Sequence, residues 1–509
     1  MHEHLTALAA LLLIAAAVGF AARRLGVHYN IALVVTGAVM GAARVPRVAL
    51  DPELVIQVFL PILLFEAAIV TDLRRLREDM RPVVLLAVPG VLVTVAVAAA
   101  ILHFGLGLPV SFALLLGSIL AATDTIAVVA TFRKVKAPAR LRTIVENESL
   151  FNDGTALVAF SVILAAIQQG RFEVGSGLAQ LAWVIVVGIG IGAAAGWGAT
   201  QIVALTDDHL MEILLTVVVT YGAWVAAEAV HASPVLAVVA AGMTVGSIGW
   251  RAITPAGKVA IRSFWAVAAF GINSVLFLII GLQFDFAAFG AAGLAIVWGL
   301  LALTVGRAAA VYSILPLLPR RFAVPRAWQH LLVWGNLKGS LSMALALSLP
   351  ADLPHRDLIA AVVFGCAFIT LVFQGLSLAP LARRLGIGRG AAGERSIDEN
   401  QGRLLAARAA QRELDRLQQL GVVPLGTFQR MRASYQGAIA RSERELRDLV
   451  ARTPAEDSEH IGAVRRRLLE IEKAALQDAA GSGMIAEDVA EDLVEELDKA
   501  LADRAEERS

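Results

Sequence analysis

Apolar stretches near or above about 20 residues, the length that carries a helix across a bilayer, recur from the N-terminus to about Leu385. Only short loops rich in Arg, Gly or Pro separate them, which constrains the chain to an all-α polytopic membrane protein. Composition agrees: of 509 residues, 58% are hydrophobic and 17% charged, and the mean hydropathy is +0.70, so most of the chain is solvated by lipid. The pattern predicts about thirteen spans, at roughly 5–22, 29–43, 52–70, 82–104, 109–131, 144–168, 177–204, 211–230, 233–249, 260–282, 287–317, 328–349 and 357–382.

Charge orients these spans. Alternate loops carry Arg23, Arg24, Arg74, Arg75, Arg77, Arg81, Arg133, Lys134, Lys136, Arg140, Arg142, Arg251, Lys258, Arg262, Arg320, Arg321 and Arg326, whereas the opposite set carries only Arg44, Arg47, Arg171 and Arg356. Basic loops stay inside, so the N-terminus is expected outside and the C-terminus in the cytoplasm of a cell (inner) membrane protein. "MHEHLTALAALLLIAAAVGFAARR" lacks a basic n-region and reads as a first span inserted N-terminus out, not a cleaved signal. Cys366, in an apolar run, offers no disulfide framework and is expected simply to pack.

The composition divides the chain into a transmembrane domain over 1–385 and a cytoplasmic helical domain over 386–509. The second part reads as soluble helices, as in "QGRLLAARAAQRELDRLQQLG" and "EDVAEDLVEELDKALADR", with "GVVPLGT" and "DAAGSGM" as turns. Such a tail either supports folding and dimer stability or regulates the membrane part. Gly188, Gly192 and Gly196 fall on one face of the seventh span, for internal packing or a dimer seam. His103 and His231 are expected at solvated loop edges.

Two spans are interrupted by polar residues, "GSILAATDTIAVVA" in the fifth and "WGNLKGSLSMALAL" in the twelfth. Interruptions at matching places in two halves suggest an inverted-repeat transporter whose site lies where half-helix ends meet. An Asp or Lys at a helix centre costs about 2.5–3.5 kcal/mol on insertion, so Asp124, Asp153 and Lys338 need a partner, a wet cavity or a function. In "ENESLFNDGTALVAF", Ser149 stands one turn before Asp153 and Glu148 one turn before Asn152, which collects two carboxylates, a hydroxyl and an amide in one helix sector. That oxygen-rich set without Cys or His suits a hard monovalent cation or a proton. Burial favours the protonated form of a carboxylate and a bound cation its charged form, so one oxygen can alternate between them; this is the minimal chemistry of exchange, with no cofactor. Asp153 is the expected carrier, unless a basic residue holds it permanently. Asp124, with Thr123, either ligates the cation or offsets helix dipoles at the break. Lys338 is expected to pair with Glu148. Glu146 is expected near water at the cytoplasmic start of its span. Glu66, Glu228 and Arg307 are read as a structural ion-pair cluster.

The motifs "FLPILLFEAAI", "ATDTIAVVATFRKVKAPARLRTIVENESLFNDGTALVAF", "VVVTYGAWVAAEAVHASPVLAVVAAGMTVG", "NSVLFLIIGLQF" and "WGNLKGSLSMALAL", in this order, resemble the monovalent cation:proton antiporter-1 family of NhaP-type and sodium/proton exchanger proteins over roughly 5–385. The resemblance implies a thirteen-span inverted repeat with crossed, unwound helices in spans five and twelve. It also implies a homodimer in the lipid bilayer, and elevator-type exchange of sodium or a related cation for protons. By motif, Asp153 would be the shared carboxylate; Thr123, Asp124, Ser149 and Asn152 would shape or coordinate the site, and Glu148 would pair with the basic residue of span twelve. An Asn-Asp pair would mark electroneutral exchange. The sequence departs from the family in two places: Lys338 stands where arginine is usual, and Thr125 replaces the usual proline. Lysine keeps the charge but loses the fork, and a buried lysine can release its proton. The expected activity is sodium/proton antiport; potassium/proton exchange on the same scaffold is the alternative, and a proton-gated channel or sodium-coupled symporter a remoter one. An enzyme would need a nucleophile or metal constellation, and no enzymatic activity and no nucleic-acid partner are expected.

Overall fold

Pro, Gly and isolated polar residues decide where the apolar runs of this chain stop being regular helix. The computed structural model describes residues 2–25, 29–43, 52–124, 128–129, 131–132, 135–169, 174–205, 208–251, 253–282, 286–387, 391–420, 422–452 and 489. Thr125 lies outside the described residues, as do Arg44, Arg47, Arg133, Lys134, Arg171 and nearly all of the last 57 positions of the tail, including "DAAGSGM".

The principal helices are α1 (His2–Leu25), α2 (Tyr29–Ala42), α3 (Val55–Ile69), α4 (Met80–Leu106), α5 (Val110–Ala121), α6 (Ala139–Gln169), α7 (Val174–Val203) and α8 (His209–Ala229). They continue with α9 (Pro234–Ser247), α10 (Pro255–Leu282), α11 (Gly293–Leu317), α12 (Arg326–Trp334), α13 (Ser340–Leu347) and α14 (Arg356–Arg384). Among the described residues seven helices are long and apolar enough to cross a membrane, and five shorter apolar helices accompany them. The chain is a multi-pass membrane protein.

Local chemistry sets the helix ends and bends. Pro89 has no N–H to give, and around it α4 widens to a π-turn over Leu86–Gly90 before closing on Gly107, whose φ of +66° is the left-handed conformation that ends a helix. Ser233 accepts the Leu236 N–H at the start of α9, and Asp208 accepts the Leu210 N–H at the start of α8. Further π-turns occur at Val55–Phe59, in α3, and at Thr370–Gln374, where one interrupts α14 and the Thr370 hydroxyl accepts the Lys338 N–H. Helix α5 ends at Ala121 and α12 at Trp334; residues 122–124 and 335–339 are not helical. The two interruptions meet, because the Asp124 N–H donates to the Leu337 carbonyl at 2.9 Å.

The glycine stripe of α7 is an internal seam. A Cβ on Gly192 would strike the Ala237 carbonyl oxygen, and those on Gly188 and Gly196 would come within 2.7 and 2.8 Å of the Ser233 and Ala241 carbonyls of α9. Gly198, on the same helix, faces open space. Gly192→Ala is therefore expected to lower thermal stability in detergent by about 1–3 kcal/mol, the usual overpacking cost, while Gly198→Ala leaves it in place; equal behaviour of the two would refute the seam. Gly37 of α2 and Gly281 of α10 approach backbone to backbone in the same manner. Cys366 is buried, as a small packing residue behind α11.

The chain divides into two units, Met1–Ala391 and Ala392–Ser509. Within the second, α15 (Ala391–Gln419) and α16 (Leu425–Arg452) form an antiparallel pair. Arg408 meets Glu443 at 2.8 Å, Arg432 reaches Asp415 at 4.0 Å, and Leu414 and Phe428 are buried.

Candidate functional site

Helix α6 supplies one wall of the site. Its 31 residues carry Glu148, Ser149, Asn152 and Asp153 over little more than one turn, so the four project within one sector. Beside them the non-helical segment 122–124 exposes backbone groups that a continuous helix would have consumed. The Thr123 N–H donates to Asp153 Oδ1 at 3.2 Å. The Thr123 hydroxyl donates to Ser149 Oγ at 2.9 Å, and Ser149 Oγ donates back to the Thr123 carbonyl at 2.8 Å.

Asp153, Asp124, Thr123, Ser149 and Glu146 line one cavity of about 100 Å³, together with Ser340 and Ser342 of α13, Asn273 of α10 and apolar side chains of α3. Its polar lining is all oxygen and amide. Among the described residues no group of three or more His, Cys, Asp or Glu is placed to hold a metal ion, and the cavity lining carries no thiolate or imidazole. Among the described residues no basic side chain forms an ion pair with Asp153. Asp124 lies against Gly339, at the N-terminus of α13, where a Cβ would fall 2.5 Å from the Asp124 Cβ. A carboxylate there offsets the positive end of the helix dipole. Glu146 is exposed at the mouth of the cavity, near the start of α6.

The charge pairing differs from the sequence expectation. Glu148 is 2% exposed and its partner is Arg307, not Lys338: the guanidinium donates to both carboxylate oxygens at 2.9 Å, and its Nε donates to the Leu332 carbonyl at 3.2 Å. The planar fork of arginine matches a carboxylate with two parallel bonds, which a lysine cannot do. Asn152 completes the shell by donating its Nδ2 to Glu148 Oε1 at 3.1 Å. Lys338, fully buried, instead donates its Nζ to the Ala122 carbonyl at 2.9 Å and to Asn336 Oδ1 at 2.7 Å. The ammonium thus caps the open C-terminal end of α5, where helix carbonyls have lost their partners. The expected cluster of Arg307 with Glu66 and Glu228 gives way to the Glu148 pair; Glu228 is exposed in the last turn of α8, and Glu66 is half-buried on α3.

A family profile described as sodium/hydrogen exchanger, transmembrane, matches residues 8–384. The chain belongs to the sodium/hydrogen exchanger family. This exchanger is 38% identical over 498 residues to the Na(+)/H(+) antiporter NhaS2 of Synechocystis, with 96% of this chain and 92% of that protein covered. It is 30% identical to the Na(+)/H(+) antiporter NhaG of Bacillus atrophaeus, with 94% of each covered. Its fold matches that of the sodium proton antiporter MjNhaP1 from Methanocaldococcus jannaschii with a TM-score of 0.64 at 19% identity, covering 75% of this chain and 99% of that one.

Sequence reasoning about this exchanger missed several polar residues of the site. Asn336 holds the Lys338 ammonium, Thr370 accepts the Lys338 backbone N–H at 3.2 Å, Ser342 reaches the Ala122 carbonyl at 3.4 Å, and Asn273 lines the cavity from α10. Asn336 and Ser342 both lie within "WGNLKGSLSMALAL" and were legible as polar residues in an apolar span. Thr370 and Asn273 carry no signal beyond a single polar side chain.

Proposed function

We propose that this chain is a sodium/proton antiporter in which Asp153 alternately holds a proton and a sodium ion. The observation that carries the reading is a carboxylate in an oxygen-lined cavity, held by one backbone N–H and by no basic side chain among the described residues. A structural acid would be tied to a cation; Glu148 is, and among the described residues Asp153 is not. The names of its relatives, Na(+)/H(+) antiporters in each case, support the same choice of ions.

The cycle needs no covalent step and no cofactor. Sodium entering at the Glu146 end displaces the proton from Asp153, with Ser149, Thr123 and Asp124 as further oxygens around it. Val55, Leu276 and Ala344 pack together near the cavity; access is proposed to alternate when one part of a homodimer moves past the other. The crossing of the two interrupted helices, fixed by the Asp124 to Leu337 bond and by the Lys338 cap, keeps the site intact during that movement. Asn152 gives its amide to Glu148 and brings no carboxylate of its own, so Asp153 stands without an acidic neighbour at position 152, which favours electroneutral one-for-one exchange. The orientation proposed is N-terminus outside and C-terminus in the cytoplasm, in a cell (inner) membrane, with the tail as a regulatory or dimer-supporting element.

Purified protein in proteoliposomes, with an imposed pH gradient and pulses of sodium, lithium or potassium, is expected to respond to sodium. The rate should not change when the membrane potential is clamped. A potassium response without a sodium response would replace this reading with potassium/proton exchange; flux without a counter-ion would replace it with a channel.

A further inference from the structure

Asn273 lines the cavity and has no part in the exchange cycle described above. It sits on α10, a helix packed against α2 and α3, and lines the cavity together with Ser149 and Asp153 of α6. Its neighbour Ser274 fixes the helix face: Ser274 Oγ accepts from the Tyr29 hydroxyl at 2.8 Å and donates to the Phe270 carbonyl at 2.5 Å, while Tyr29 stacks on Phe270 at 5.1 Å. Residue 273 is therefore held at the cavity by a neighbour anchored the other way, toward α2.

The Asn273 carboxamide makes no hydrogen bond among the described residues, and its Oδ1 is sealed from water. A buried amide oxygen without a donor loses about 1–3 kcal/mol relative to a satisfied one. Such groups are rare in native structures and call for a role. The torsion that swings the carboxamide end over end is soft, so the oxygen turns into the cavity at little cost. The other oxygens around the cavity belong to α6, to the 122–124 segment or to α13; Asn273 alone brings a neutral one from α10.

We infer that Asn273 is a further cation-binding residue, whose amide oxygen coordinates the transported ion, directly or through one of its waters, when the cavity is occupied. The inference rests on the exchange reading above. Being neutral, the amide contributes to affinity and to discrimination by ion size without altering the charge count at the site. Because it lies on a helix that packs with α2 and α3, it meets the ion only while the site faces it, and so biases which position of the moving part sodium favours.

The test uses Asn273→Ala and Asn273→Ser, with Asp153→Asn as the reference for a lost carrier. In proteoliposomes Asn273→Ala is expected to raise the half-saturating sodium concentration by about tenfold and to alter the ratio of half-saturating sodium to lithium, with Asn273→Ser intermediate. The same ordering should appear without any flux, in the thermal stabilisation of detergent-purified protein by added NaCl or LiCl. Half-saturating concentrations within about twofold of the parent would overturn the inference. So would a loss of maximal rate and basal stability with the sodium-dependent stabilisation unchanged, the signature of a packing residue. If the parent protein itself moves potassium and not sodium, the exchange reading fails, and the stabilisation series with KCl still decides the role of Asn273.

Discussion

Asp153→Asn is expected to bring sodium-driven proton movement down to the level of protein-free vesicles while the protein still elutes as a folded assembly. The substitution is nearly isosteric and keeps an oxygen to accept the Thr123 N–H, so the contact that fixes the side chain survives. What it removes is the ability to hold a proton in one half of the cycle and a compensating negative charge in the other. A neutral amide in the same place still offers the cation a dipole but gives it nothing to exchange against. Sodium-dependent thermal stabilisation should fall with the flux, since Asp153 is the α6 carboxylate held against the Thr123 backbone within the cavity, Glu146 lies exposed at its mouth, and Glu148 is already spent on Arg307. Glu146→Gln serves as the matched control, because Glu146 is exposed at the cavity mouth, and it should retain exchange. Undiminished dequenching by Asp153→Asn would sink the proposed role and move attention to Asp124, the second of the cavity's carboxylates beside the interrupted helix.

The residues that were legible in the sequence are those whose insertion into lipid is costly by itself. Asp153, Asp124 and Lys338 stood out because a charge within an apolar run demands a reason, and the polar "TDT" and "NLKG" runs marked where α5 and α12 stop. What the sequence does not carry is the identity of partners across the bundle. Glu148 needed a cation, and both Lys338 and Arg307 were available in apolar spans; 159 residues separate Glu148 from Arg307, and no periodicity links them. The choice is made by packing, which brings α11 beside the start of α6 and leaves Lys338 to cap α5. Likewise the α7 glycines announce close approach, but only the fold says that Ala237 is what they approach. Asn273 was illegible for a simpler reason: one amide in a helix of 28 residues is an ordinary event until the cavity beside it is seen.

The Arg307 and Glu148 pair carries the second large prediction. Both groups are nearly inaccessible, at 5% and 3% side-chain exposure, and Arg307 donates three hydrogen bonds inside the bundle. Removing one member of a buried pair leaves the other charge uncompensated, which costs about 3–5 kcal/mol. Arg307→Ala should therefore lower the stability of the detergent-purified protein by that amount and leave Glu148 with only the Asn152 amide. Arg307→Lys should recover part of it, because an ammonium restores the charge but not the two parallel bonds. The decisive comparison is a pair of double-mutant cycles. Glu148→Gln combined with Arg307→Met should show coupling of about 1 kcal/mol or more, since the double substitution removes both charges together, whereas Glu148→Gln combined with Lys338→Met should be close to additive. Lys338→Met on its own is expected to destabilise through the lost cap on Ala122 and to do so equally with or without Glu148. Strong coupling of Glu148 to Lys338 and weak coupling to Arg307 would contradict the pairing described here and return the acid to the lysine beside the break.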